Sequence, residues 1–369
     1  MFGFGYNVFG QICGLKEKKC NNYEDGGLSV IDVPVQVDIS LSEDVVKIQS
    51  SWTNTFLLKK NGTVSTFGWI PETKALGNVN NFLPGEVVQD ISCSCNKVAL
   101  LSKAKKLFLW NDFMQENSFP TVVKLKESLS MIRCGDLLTI VLTDDGHLGQ
   151  LVTDSSSMQD EEALVSFAEI TFSHCVQTMS CGKEHVLILT DKGAVFSFGR
   201  GSRGQIGNGR LDQQDEPKPI EALSGINIRV ISCGGWHSAV ITSCGDLYMW
   251  GWNKDGQVGV SHNNTDIPQA VPVQIQAVPV PVVFSNDLSV TDVSCGSRHT
   301  AAITCNGELW TWGFGFYGQL GHGSRKSCHE PTIVKFPPTL SSLTKMTKKS
   351  IHCNHWNTFV SVKKDTTNH

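Results

Sequence analysis

Short apolar runs recur along the chain, each with the same sequel. "SAVIT" (Ser238 to Thr242), "TAAIT" (Thr300 to Thr304) and "TFLL" (Thr55 to Leu58) are apolar nearly throughout. That is the pattern of a strand covered on both faces, so these runs are read as the inner strands of a layered sheet. A hairpin turn is expected after them at Gly62, Gly146, Gly193, Gly245 and Gly307, where positive φ must be tolerated. The chain then returns in aromatic strands ending in glycine, "AVFSFG", "DLYMWG" and "ELWTWG". The last segment of each unit carries proline, as in "IDVPVQV", "FLPGEVV", "EPKPIEAL", "VPVPVVF" and "EPTIVKF". Proline lacks the amide a ladder needs, which places these segments on a sheet edge. Each unit thus runs from a buried inner strand to an exposed outer one.

Aligning the units on the Cys of "ISCG" brings Cys181, Cys233 and Cys295 into phase, with weaker copies at Cys93 and Cys134. Ser50 opens another unit, and Cys353 opens one that stops after "CNHWNTFVSV". The missing half stands at the other end of the chain, since "FGFGYNVFGQ" from Phe2 resembles "WGFGFYGQ" from Trp312. Small repeated sheet units with one divided between the termini predict an all-β fold: a single seven-bladed β-propeller closed by pairing N- and C-terminal strands. Residues 1–369 are expected to form one domain, with the divided blade in residues 1–40 and 345–363. Irregular loops are expected near 153–168 and 260–285.

Composition narrows the chemistry. Lys and Arg number 31 against 35 Asp and Glu, which argues against nucleic-acid binding through bulk positive charge. Thirteen cysteines, an odd number without a compact framework, suit a reducing compartment and free thiols. No apolar run approaches a membrane span, and "MFGFGYNVFG" lacks the plan of a signal peptide. The expectation is a soluble intracellular protein with no membrane contact.

The "CGxxH" motif, the "GELWTWG"-type return strand and "GQLGHG" resemble the repeat of the regulator of chromosome condensation family, most fully from Cys181 to Gly323. The second and third units depart from it. Lys97 and Leu138 stand where His is expected, and Asn111 and Val152 replace the return-strand glycine. One small propeller that starts mid-blade at "FGFG" and carries "WNT" at Trp356 resembles the small single-propeller members of that family. The resemblance implies a non-enzymatic scaffold, monomeric on its own, in the nucleus or on chromosomes and also in the cytoplasm. It further implies a protein partner, a JmjC-domain oxygenase, with roles in histone-mark control and chromosome segregation and an indirect contact with chromatin. The competing implication is guanine-nucleotide exchange on a small nuclear GTPase, which in the family depends on a wedge projecting from one propeller face. No wedge hairpin is evident in the third unit. Basic residues cluster only briefly, at Lys16 to Lys19 and Lys345 to Lys349.

Other motifs invite chemistry that architecture explains better. His352, Cys353 and His355, or Cys93 and Cys95, have metal-ligand spacing, but a structural zinc needs four convergent ligands. Cys93 and Cys353 also occupy the repeated Cys position, so no metal is expected. His185, His237 and His299 repeat at one position, whereas catalysis needs one base with specific neighbours. They are expected to satisfy backbone or hydroxyl groups, with Asn54 and Asn357 as substitutes. The glycines of "FGRGSRGQIG" and "WGWNKDGQVG" imitate a dinucleotide fingerprint without the helix it requires. No cofactor and no catalytic residue are assigned.

What remains are positions that vary while the frame repeats. Trp236 and Arg298 lie just before the repeated His, and Arg200, Arg203, Phe316 and Tyr317 lie in the turns after the return strands. With Trp356 they form the expected partner-binding set, since Trp and Arg on rigid turns are the usual anchors of an interface. A second role stays open for Trp236 and Trp356, as packing between blades.

Overall fold

The computed structural model describes residues 1–12, 29–37, 44–70, 75–111, 120–153, 165–260, 274–284, 287–336 and 348–363. Among them are seven four-stranded antiparallel sheets, the seven blades of a β-propeller. Blade one comprises Val45–Ser50, Asn54–Lys59, Val64–Ile70 and Ala75–Val79; blade two Val88–Cys93, Lys97–Ser102, Leu107–Asn111 and Thr121–Val123. Blade three comprises Leu129–Cys134, Thr139–Thr143, Leu148–Thr153 and Val165–Ile170; blade four Val176–Cys181, His185–Thr190, Val195–Gly199 and Gln214–Pro219. Blade five comprises Ile228–Cys233, His237–Thr242, Leu247–Trp252 and Ile275–Val282; blade six Val290–Cys295, His299–Thr304, Leu309–Gly313 and Cys328–Ile333. Blade seven joins the two ends of the chain. Phe2–Tyr6 pairs with Asn357–Lys363 in the register Phe2↔Val360 and Phe4↔Thr358, between the edges Val30–Gln36 and Lys348–Asn354.

Three expectations are corrected. The apolar runs are second strands, not the innermost: each sheet begins with a strand that ends at the repeated Cys or Ser or, in blade seven, one residue past it at Asn354. That first strand has an unpaired edge and half-exposed positions, so its pattern is weak, whereas His237–Thr242 is buried throughout between two partners. Pro84 of "FLPGEVV" lies in the connection between blades one and two. The edge strands do hold Pro34, Pro217, Pro219, Pro279, Pro281 and Pro331. The expected loops near 153–168 and 260–285 are partly strand, at Val165–Ile170 and Ile275–Val282; 154–164 and 261–273 lie outside the described residues, as does most of both basic clusters.

The chain divides into two compact units, one of Met1–Val8, Glu17–Val37 and Gln177–His369, the other of Phe9–Lys16 and Asp38–Val176. In the second, Phe56, Ile91, Val98, Leu100 and Trp110 form one core cluster, and Leu101, Ile132, Val141 and Leu151 another. In the first, Leu187, Val240 and Trp250 pack together, and Met249, Val258, Phe284 and Trp312 form the neighbouring cluster.

The repeated motif residues lock each blade of this first unit to the next. The Nε2 of His185 lies 2.9 Å from Ser238 Oγ, that of His237 3.0 Å from Thr300 Oγ1, and that of His299 3.0 Å from Thr358 Oγ1. Each hydroxyl donates onward to the carbonyl of Gln205, Gln257 or Gln319, so the imidazole donates from Nε2–H and Nδ1 is left bare. The Gln205 and Gln257 carbonyls also accept the indole N–H of Trp250 and Trp312. The glycine after each Gln is where that ring lies. A Cβ on Gly259 would stand 2.6 Å from Trp312 Nε1, and one on Gly321 2.9 Å from the Phe4 ring. A second staple joins first strands: Ser180, Ser232 and Ser294 Oγ accept the amides of Cys233, Cys295 and Cys353.

Blades one to three keep the plan with substitutes. Ser92 Oγ accepts the Cys134 amide, and Lys97 donates through Nζ to Thr139 Oγ1 at 3.0 Å, doing the work of the absent His. Lys105 takes the positive φ (63°) that glycine takes in the other hairpins.

Candidate functional site

In blades four to six the connection after the return strand is folded around its own glutamine. Gln205, Gln257 and Gln319 are fully buried, and their Oε1 atoms accept the amides of Arg203, Asp255 and Tyr317, each at 2.9 Å. The residue two before each Gln is thereby fixed at the end of the sheet where the first strand turns into the second. Trp236, Arg298 and Trp356 stand in those turns, immediately before His237, His299 and Asn357.

The result is a strip of cations and aromatic rings across blades four to seven. Lys183 Nζ lies 5.0 Å and the Arg203 guanidinium 4.1 Å from the Trp236 ring. Arg203 is also 4.4 Å from Trp252, and Trp236 meets Trp252 edge-to-face at 5.4 Å. Arg298 is 4.5 Å from Trp252 and 5.8 Å from Phe314. Phe314 contacts Trp356 (5.6 Å) and Tyr317 (5.7 Å), and Tyr317 contacts Tyr6 (5.5 Å). Two carboxylates lie within it. Glu184 accepts the Trp236 indole N–H at 3.2 Å and stands 3.6 Å from Arg200, and Asp255 stands 3.6 Å from Arg298. Burial, then the neighbouring Tyr317, pushes the Tyr6 phenol above its ordinary value.

All seven residues of the expected set fall in this strip. Arg203, Arg298, Trp236, Tyr317 and Trp356 are half-buried within it, Arg200 is tied to its edge through Glu184, and Phe316 is 52% exposed at 5.8 Å from Tyr317. Trp236 and Trp356 do make contacts between blades, but the fully buried indoles are those of Trp250 and Trp312. Lys183, Glu184 and Asp255 stand in the same variable turns from which the expected set is drawn, although outside that set, whereas Trp252, Phe314 and Tyr6 were not anticipated. A signal existed for these three, because each follows the return-strand glycine in phase with Arg200.

The histidines and cysteines belong to the frame. Burial, and for His185 and His299 the neighbouring His237, hold the three imidazoles down at about 3, so they are neutral. Burial pushes the thiols of Cys233, Cys295 and Cys353 up to about 12. The His355 carbonyl accepts the Ser297 amide. Among the described residues no three His, Cys, Asp or Glu gather as metal ligands would.

The sequence profile described as Regulator of chromosome condensation (RCC1) repeat matches residues 192–241, 244–303 and 306–360. The chain is therefore a seven-bladed propeller that carries regulator of chromosome condensation repeats. Among curated relatives, it is 36% identical over 211 residues to RCC1 domain-containing protein 1 of Mus musculus, covering 50% of this chain and 55% of that protein. It is 28% identical to the ultraviolet-B receptor UVR8 of Arabidopsis thaliana, over 85% of this chain and 76% of the receptor. The chain spans about half the length of the RCC1 domain-containing proteins it matches. Prp20p of Saccharomyces cerevisiae, whose structure was reported with its binding properties to Gsp1p and histones, superposes with a TM-score of 0.76 at 18% identity. The match covers 99% of this chain and 92% of that one, and shows a common fold.

Proposed function

We propose that this protein is a non-enzymatic interaction scaffold associated with chromatin. It engages a protein partner, a JmjC-domain oxygenase, through the strip on blades four to seven, and so contributes to histone-mark control and chromosome segregation in the nucleus. The observation that carries the reading is the strip itself: Trp236, Arg203, Trp252 and Arg298 in mutual contact on a hydrogen-bonded frame, half-exposed. Rigid presentation of such anchors lowers the ordering cost of association, and Trp and Arg dominate interface energetics. The similarity to RCC1 domain-containing protein 1 and to a histone-binding propeller supports the setting.

The test is capture of a purified JmjC-domain oxygenase by the tagged protein and its Trp236→Ala and Arg298→Ala variants. Each substitution should weaken capture by about 2 kcal/mol, as truncated anchors do, with little change in melting temperature. Undiminished capture would remove the strip from the interface. The likeness to Prp20p, with its Gsp1p binding, favours nucleotide exchange as a second reading. Stimulated nucleotide release from a small nuclear GTPase would replace the scaffold by an exchange factor.

A further inference from the structure

The Arg203 side chain is held in an unusual way. Its guanidinium has Trp236 at 4.1 Å and Trp252 at 4.4 Å, while its side chain forms no hydrogen bond or ion pair among the described residues, and Nη1 is buried without a partner. Arg298 repeats the arrangement one ring further along. It lies near Trp252 and Phe314, its Nε is buried and unbonded, and Asp255 is 3.6 Å from Nη1. Stacking engages the face of a guanidinium and leaves the N–H edge, which matches a carboxylate in a fork of two parallel hydrogen bonds. It also restrains a flexible side chain before any ligand arrives.

The charge of the strip is graded along its length. At the blade four and five end Lys183, Arg200 and Arg203 gather around Trp236, and the Glu184 carboxylate already accepts the indole N–H and faces Arg200. At the blade six and seven end Phe314, Phe316, Tyr317 and Trp356 contact one another, and Phe316 is exposed. We propose that the strip docks an extended acidic segment of a protein partner, with carboxylates on the N–H edges of Arg203 and Arg298 and a neighbouring apolar side chain against Phe316. This rests on the scaffold reading and names the chemistry of its contact. Glu184 and Asp255 disfavour a dianionic phosphate monoester more than a monoanionic carboxylate, and a chain with 31 Lys and Arg against 35 Asp and Glu lacks the bulk positive charge a nucleic acid calls for, so an acidic peptide fits better than either.

The experiment is a titration of the full chain, followed by tryptophan fluorescence, with a synthetic peptide of alternating Glu and Asp followed by Gly-Phe. The amide counterpart, alternating Gln and Asn followed by Gly-Phe, is titrated in parallel. The acidic peptide should bind about tenfold tighter or better, because charge-assisted bonds to both arginines are lost with the amides. Arg203→Lys keeps the charge but not the fork, and should lose about tenfold for the acidic peptide alone at an unchanged melting temperature. Equal affinity for the two peptides overturns the proposal, as does wild-type affinity in Arg203→Lys, or single-stranded DNA that displaces the acidic peptide at lower concentration than the peptide itself. If the peptides are not distinguished while oxygenase capture still responds to Trp236→Ala, only the acidic chemistry falls. If capture ignores Trp236→Ala, the surface falls and this proposal with it.

Discussion

Lowering the pH from 6.5 to 5.5 should destabilise this protein through three histidines that no surface titration can reach. His185, His237 and His299 are fully buried, each spends its Nε2–H on a hydroxyl of the next blade, and each Nδ1 has no partner. A second proton would enter a site with no acceptor, and so burial holds these imidazoles at about 3. The unfolded chain binds those protons near pH 6.5 while the folded chain refuses them. Stability is therefore fully present above about pH 6.5 and is lost as the pH falls toward 3. Between pH 6.5 and 5.5 each histidine removes about 1 kcal/mol, roughly 3 kcal/mol together. Asp292 opposes them. Burial raises its carboxyl to about 6 although it accepts the Ile351 amide, so the folded state takes up its proton first and gains about 0.7 kcal/mol over the same interval. These four groups together lose about 2 kcal/mol. Burial lowers His322, which adds to the loss, and Glu169 raises the exposed His147, which opposes it. The sum is read as the difference between urea unfolding free energies at the two pH values. His237→Asn, which places there the residue found in phase at Asn54 and Asn357, should reduce the loss by about 1 kcal/mol whatever its own stability. A wild-type loss below about 0.5 kcal/mol, or an unaltered loss in the variant, would refute the reasoning.

Gly259→Ala should cost about 3 kcal/mol, since the residue sits at φ 73° and its Cβ would stand 2.6 Å from Trp312 Nε1; an unchanged urea midpoint would contradict the close approach. In native protein, Cys175, Cys244 and Cys305 are exposed and should react rapidly with a thiol reagent, while Cys233, Cys295 and Cys353, buried with thiols pushed up to about 12, should react only on unfolding. Mass mapping of the labelled peptides separates the two groups.

The repeating part of the molecule was legible from sequence because each of its residues answers a local demand that recurs. Glycine marks the hairpin at Gly245, proline the edge strand at Pro331, and the half-units at Phe2 and Cys353 announced the pairing Phe4↔Thr358. The first strand of each blade escaped notice because its pattern is neither fully apolar nor cleanly alternating, as the half-buried run Val230 to Ser232 after the exposed Arg229 shows. A strand with one free edge leaves a weak trace in sequence.

The chain by itself thus determined the seven units, their closure, and which turns hold tryptophan and arginine. Tertiary structure decided what those turns do to one another. That Arg203 meets Trp236 from the next blade, and that Trp252 lies near both Arg203 and Arg298, depends on the placement of neighbouring sheets, set by the His–hydroxyl–carbonyl locks. These contacts join residues tens of positions apart, and a stacking distance of a few ångströms is a property of packing that no single segment encodes. The same holds for Lys97. A lysine in the place of histidine reads as decay of the repeat, until the fold shows its ammonium donating to Thr139 of the adjacent blade.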